Sequence, residues 1–313
     1  MELILQFFLL VLGFVMLVKG SDWFVEGAAG IADRFGIPQL IIGLTIVAMG
    51  TSAPEAAVSI AAALKGSAAI TIGNVVGSNI LNILIILGVT AAITPIAVAP
   101  STVRVEMPFM LAVTLVLLAL GHFGESIVRW EGAVLWALFL VYLGYLFHSA
   151  RKKQAEEPPE SGGSSAPMWR LILFALLGLV LVVWGSDVAV DAATAIALQF
   201  GLSERFIGLT IVALGTSLPE LFTSVTAARH GKADIAIGNI VGSNIFNILF
   251  VVGTTALITP VAFAPRFVVD TLISAAAGVL LLLCVAKRHR LTRPAGILML
   301  VGYAGYFAYL IAG

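Results

Sequence analysis

Runs of Leu, Ile, Val and Ala follow one another along nearly the whole chain, broken only by short polar stretches. An apolar run of about 18 residues or more is long enough to cross a bilayer as a helix. The breaks predict ten helices, over 3–33, 38–65, 69–93, 103–121, 126–150, 168–198, 203–230, 234–258, 267–286 and 292–312. One connection differs from the rest: RKKQAEEPPESGGSSAP, 151–167, reads as a linker too short to hold a folded regulatory domain. Two stretches break the apolar pattern from within. GTSAPE at 50–55 and GTSLPE at 215–220 place glycine, hydroxyls, proline and a carboxylic acid inside predicted spans.

Proline has no N–H to return to the fourth residue before it, and its ring crowds the preceding turn. Pro54 and Pro219 therefore predict broken helices, with Gly50 and Gly215 easing the departure. Carbonyl oxygens near Ala48–Gly50 and Ala213–Gly215 are expected to be freed at membrane depth, where exposed backbone is tolerated only beside a cavity or a new partner. Thr51 and Glu55 are four apart and share a helix face, with Ser52 at its edge. In the third span Asn74, Ser78 and Asn82 form a polar stripe, and Gly73 with Gly77 forms a pair that permits close helix approach. The same set returns as Thr216, Ser217, Glu220, Asn239, Ser243 and Asn247.

A carboxyl inside a membrane is costly and marks an ion or proton pathway, so Glu55 and Glu220 are the leading functional candidates. Two carboxylates with hydroxyl, amide and carbonyl oxygens suit a hard cation. His122, His148, His230 and His289 fall near span ends, which argues against a soft transition-metal site. Asn74 and Ser59 are expected to hydrogen-bond to neighbours. Asp22, Glu26, Asp187 and Asp191 lie late in very long helices and read equally as interfacial or as pathway residues. Glu106 and Arg104 read as interface residues, and Cys284 as a small buried residue that excludes an intrachain disulfide.

Composition sharpens the class. The chain is 60% hydrophobic and 11% charged, too apolar to cover with polar surface in water. The start, MELILQFFLLVLGFVMLVKG, lacks a basic leader region and reads as a retained first span. With the linker in the cytoplasm, twelve Lys or Arg fall inside: Arg34, Arg104, Arg151, Lys152, Lys153, Arg170, Arg229, Lys232, Lys287, Arg288, Arg290 and Arg293. Four fall outside, Lys65, Arg129, Arg205 and Arg266, which sets both termini outward.

An offset of 165 aligns the two halves without a gap, and 26 of 40 positions between 43–82 and 208–247 are identical. GSDWFVEGA meets GSDVAVDAA, and GNVVGSNILN meets GNIVGSNIFN. This is a duplication. Five spans per half invert the second copy, so 1–150 and 168–313 are expected as inverted five-helix repeats of an all-α integral membrane protein, with an ion site between them.

The paired GTSxPE and GNxVGSNIxN motifs resemble the repeats of the calcium/cation antiporter superfamily, particularly its sodium/calcium exchanger branch, over essentially the whole chain. The length is similar to the compact prokaryotic members, which lack the large regulatory loop of animal exchangers. The resemblance implies calcium between Glu55 and Glu220 with help from Thr51 and Thr216. It implies an inner sodium at the Ala48 carbonyl, Ser52, Ser78 and Glu220, and an outer one at the Ala213 carbonyl, Ser217, Ser243 and Glu55. Asn82 and Asn247 would close a middle position. Ala53 replaces a Leu usual in the family. Asn247 stands where potassium-dependent relatives carry Asp, which argues against potassium co-transport.

The implied activity is exchange of sodium for calcium by alternating access in a prokaryotic cell membrane, three sodium ions per calcium, with the first and sixth helices as the sliding element. Calcium and sodium are cargo; no cofactor and no nucleic acid are implied, and a single chain suffices. The nearest rival is a proton/calcium antiporter using the same glutamates, though its relatives carry a different motif before the acid. A cation channel would need a filter repeated across subunits, and no nucleophile–base constellation points to an enzyme.

Overall fold

The computed structural model describes residues 2–66, 68–156, 166–201 and 213–312. Most of the expected linker, and 203–212 at the start of the helix expected over 203–230, lie outside the described residues. The helices are α1 (Glu2–Phe35), α2 (Gln39–Thr51), α3 (Ala53–Leu64), α4 (Ile70–Ile93), α5 (Thr102–Gly124), α6 (Arg129–Glu156), α7 (Met168–Gln199), α8 (Ala213–Gly215), α9 (Leu218–Arg229), α10 (Ala233–Ile258), α11 (Arg266–Ala286) and α12 (Arg293–Ala312). Among the described residues eight helices are long and apolar enough to cross a membrane, or nine with the bent pair α2–α3 taken as one span.

Helices α10 and α4 form the centre: 94% and 72% of their apolar windows are buried, against 17% for α1 and 11% for α12. Helix α1 packs most extensively on α7. Their seam is lined by glycine on α1 because the backbones nearly touch: a Cβ at Gly20 would lie 2.8 Å from the Val182 nitrogen, and one at Gly27 2.5 Å from that of Ala175. Each is over 30 residues long, about 50 Å at 1.5 Å per residue, and so must tilt across a hydrocarbon core of about 30 Å.

The loops recur in matched pairs. β1 (Ile96–Ala97) pairs antiparallel with β4 (Arg290–Leu291), and β2 (Ser126–Ile127) with β3 (Val261–Ala262). Val98 N–H donates to the His289 carbonyl and Phe263 N–H to that of Glu125, both at 2.9 Å. Arg129 caps the Ile258 carbonyl and Arg293 that of Ile93, both at 3.2 Å. Each contact becomes its mate when every residue is exchanged for its counterpart in the other half.

That exchange corrects the gapless alignment. Val98 corresponds to Phe263 at an offset of 165, whereas Glu125 corresponds to His289 at 164, and both latter residues adopt positive φ, 54° and 46°. The first half therefore carries one extra residue between 98 and 125. A π-helical turn at Thr102–Glu106 opens α5, and α11 is regular at the same place, so the extra residue is taken up as a π-bulge. Glu106, at the end of this turn, is not the interface residue expected: it is 3% exposed and accepts a hydrogen bond from the Tyr145 hydroxyl at 2.8 Å. In the other half the Tyr306 hydroxyl donates to Asp270 at 3.3 Å. Arg104 is exposed as expected, and Cys284 is half-buried.

Candidate functional site

The break at GTSAPE is a real bend. Helices α2 and α3 meet at 47° about Ser52, whose φ −84° and ψ 7° leave the helical region. Pro54 and Pro219 each occupy the first turn of the helix that follows, where a missing N–H costs nothing. Glu55 and Glu220 lie in the same first turns, at the positive ends of α3 and α9. Both are 1% exposed.

The carbonyl accounting differs from the expectation. The Ala48 oxygen is not freed: it accepts from the Ser52 N–H at 3.0 Å and the Ser243 hydroxyl at 3.3 Å. Pro54 removes the donor of Gly50 instead. In the second half Gly215, which loses its donor to Pro219, accepts from the Ser186 hydroxyl at 2.6 Å.

Each carboxylate is met from the opposite half. The Ser52 hydroxyl donates to Glu220 Oε1 at 2.7 Å, and Ser217 to Glu55 Oε1 at 3.4 Å. Thr51 and Thr216 lie against Glu220 and Glu55 in the same crossed sense, and the Thr51 hydroxyl also donates to Asn239 Oδ1 at 3.0 Å. Asn74 and Asn239 hold the bends in place. Asn74 Nδ2 donates to the Glu55 carbonyl and to Ser59, and Asn239 Nδ2 does so to the Glu220 carbonyl and Ser224. The neighbour-bonding role expected of Asn74 and Ser59 is what the geometry has.

The serines group differently from the expectation. Ser243, not Ser78, sits at the Ala48 carbonyl. The reason is packing: α10 presses on α2 so closely that a Cβ at Gly242 would lie 2.7 Å from the Leu44 carbonyl. Ser78 is buried on the part of α4 that touches α8, whose first residue is Ala213. Gly238 and Gly242 meet Leu40, Gly43 and Leu44, whose counterparts in the second half, 205, 208 and 209, lie outside the described residues.

Asn82 and Asn247 are fully buried where α4 and α10 cross, each opening a π-helical turn, Asn82–Leu87 and Asn247–Val252. Two residues missed in the sequence join them. Asn79 and Asn244 bond to them and to each other across the two halves. The repeated GSN of both motifs was the available signal.

Buried polar atoms are almost always partnered. Here Glu55 Oε2, Glu220 Oε2, Asn82 Oδ1 and Asn247 Oδ1 are buried with no donor. They form two corresponding pairs, and all four are acceptors. The other acids lie elsewhere: Asp22 and Glu26 line an open cleft of about 510 Å³ with Lys19, Asp33, His230 and Lys232, while Asp187 and Asp191 are exposed. His230 approaches Asp22 at 3.7 Å.

Known proteins carry the same pattern. The family model of the sodium/calcium exchanger protein matches twice, over residues 5–148 and 170–312. The chain belongs to the sodium/calcium exchanger family. It is 42% identical to the putative antiporter CaxA of Alkalimonas amylolytica, over 97% of this chain and 98% of that one. It is 31% identical to the sodium/calcium exchanger MaX1 of Methanosarcina acetivorans, over 97% and 98%. A solved structure of the sodium-calcium exchanger NCX_Mj, soaked with zero sodium and calcium, superposes with a TM-score of 0.86 at 32% identity, covering 98% of this chain and 99% of that one. The protein is thus a multi-pass membrane transporter of cations, not an enzyme.

Proposed function

We propose that the protein exchanges sodium for calcium across a prokaryotic cell membrane by alternating access at one site between Glu55 and Glu220. Four buried acceptor oxygens without a donor, one on each glutamate and one on each of Asn82 and Asn247, support this reading: bound cations would satisfy the oxygens and balance the carboxylates. Calcium lies between Glu55 and Glu220 beside Thr51 and Thr216. One sodium uses the Ala48 carbonyl, Ser52, Ser243 and Glu220; another uses the Ala213 carbonyl, Ser217, Ser78 and Glu55. Asn82 and Asn247 close the middle. Two ionised glutamates give about −2, matched by one calcium or two sodium ions, so the cargoes exclude one another. If three sodium ions exchange for one calcium, as in the family, each cycle moves one net charge.

The frame for this is two inverted five-helix repeats, 1–150 and 168–313, joined by a cytoplasmic linker at 151–167, with the N-terminus outside. The paired loops, the crossed serine–glutamate bonds and the double match to the family model support it. The closely seamed pair α1–α7, packed shallowly on the bundle, is the sliding element. Both carboxylates come from one chain, so a monomer suffices within the bilayer, and no resident cofactor takes part.

Liposomes carrying the purified protein and loaded with sodium should accumulate calcium on dilution into sodium-free buffer, while choline-loaded ones should not. Potassium should be without effect once voltage is clamped, because Asn247 adds no third charge. Uptake driven equally by a pH gradient alone would move the protein to the proton-coupled class.

A further inference from the structure

We propose that Asn79 and Asn244 are positioning residues: a ring of amides across the two halves fixes Asn82 and Asn247 with their carbonyl oxygens facing the cation site. This rests on the site proposed above and extends it to residues that touch no ion.

All four asparagines are 1% exposed or less. Asn79 Nδ2 donates to the Asn244 backbone carbonyl at 3.2 Å, and Asn244 Nδ2 donates to that of Asn79 at 3.3 Å. Asn82 Nδ2 then donates to Asn244 Oδ1 at 2.9 Å, and Asn247 Nδ2 to Asn79 Oδ1 at 3.1 Å. The order of dependence follows from donor and acceptor inventory. A backbone carbonyl only accepts and cannot turn over, so it fixes which end of the Asn244 amide faces it. The nitrogen of Asn244 being so committed, its Oδ1 must face Asn82, and only a donor suits it there. Asn82 therefore turns its nitrogen away and its oxygen inward. The mirror sequence runs from the Asn244 carbonyl's partner, Asn79, to Asn247.

The inward oxygens are the two amide oxygens left without a donor. Flipping either amide would set oxygen against oxygen in the ring and point an N–H at the cation, two losses with one cause. The ring also lies where α4 and α10 each pass from α-helical to π-helical turns, at residues 82 and 247. The ladder shifts by one residue there, and the carbonyls of Asn79 and Asn244, three residues earlier, take up the facing amides.

The dependence crosses the halves, and that makes it testable. Asn79 orients Asn247, not Asn82, its near neighbour on the same helix. Removing the Asn79 side chain leaves its backbone carbonyl to hold Asn244, and so leaves Asn82 in place. Calcium binding to the purified protein, measured at equilibrium, should weaken about tenfold in Asn79→Ala, the loss of one oriented hydrogen bond. In an Asn247→Asp background no N–H remains for Asn79 Oδ1 to hold, and a carboxylate oxygen already faces it, so Asn79→Ala should weaken binding no further. In an Asn82→Asp background the tenfold loss should persist. The mirror set is Asn244→Ala against Asn82→Asp, and it serves if Asn79→Ala does not fold. Equal losses in both backgrounds would mean a structural role only and would overturn the proposal. Glu55→Gln is the control for the site itself: calcium binding that survives it defeats the site, whereas binding that needs Glu55 but lacks the crossed coupling defeats only the ring.

Discussion

Glu55 and Glu220 each rest one oxygen on a serine of the opposite half and leave the other without a donor. Glu→Gln at either position keeps the volume and an oxygen for the serine but removes one of the two charges that balance calcium. Exchange should fall on the order of 100-fold or more in both variants, with folding little changed, because the ion pairs lost are with cargo rather than with the protein. Near wild-type flux in either variant would show that cargo passes elsewhere. Acid should slow the wild type as protons compete for these carboxylates, and raised calcium should relieve the inhibition. The acids were legible in the sequence because an oxygen-rich stretch inside an apolar helix needs a reason. Which serine meets which carbonyl was not: Ser243 reaches Ala48 only because α10 and α2 approach closely, and one sequence holds no record of that approach. Asn79 and Asn244 lay off the four-residue stripe through Ser78 and Ser243, and so escaped notice.

At the scale of elements, Pro54 and Pro219 announced the broken helices, and the 47° bend at Ser52 is the outcome. The π-turn at Thr102–Glu106 had no such signal, since no residue type marks a π-bulge; it became visible only as a change of offset between the halves. Glu106, at the end of that turn, is buried against Tyr145 where an interface residue was expected. Helix α1 meets α9 through the Ser21 and Thr226 hydroxyls, 2.8 Å apart, a contact without a counterpart because Ala61 stands where Thr226 has its equivalent. If the α1–α7 pair slides, this contact must break in each cycle. Cysteines at both positions, in a Cys284→Ala background, should crosslink on oxidation and stop exchange while leaving calcium binding intact, with reductant restoring flux. Full exchange by a quantitatively crosslinked protein would rule out sliding at this contact.

At the scale of the molecule, the duplication was the most legible feature, because GTSxPE and GNxVGSNIxN recur in fixed register. The exchange of contacts between halves, down to paired two-residue strands, is the structural form of that repeat. The proposed inverted topology makes its own prediction: single cysteines at Ser164 and Gly124, without Cys284, should react with impermeant reagents from opposite sides of the membrane. Reaction from the same side would break the five-plus-five arrangement. The central claim, that one buried site built from both halves serves both ions in turn, is tested most directly by calcium binding to the purified protein titrated with sodium. Sodium should displace calcium completely and with a sigmoidal dependence, since more than one sodium replaces each calcium, and the Glu55→Gln, Glu220→Gln double variant should bind no calcium at all. Calcium that stays bound as sodium saturates, or that binds the double variant as tightly as the wild type, would contradict the account.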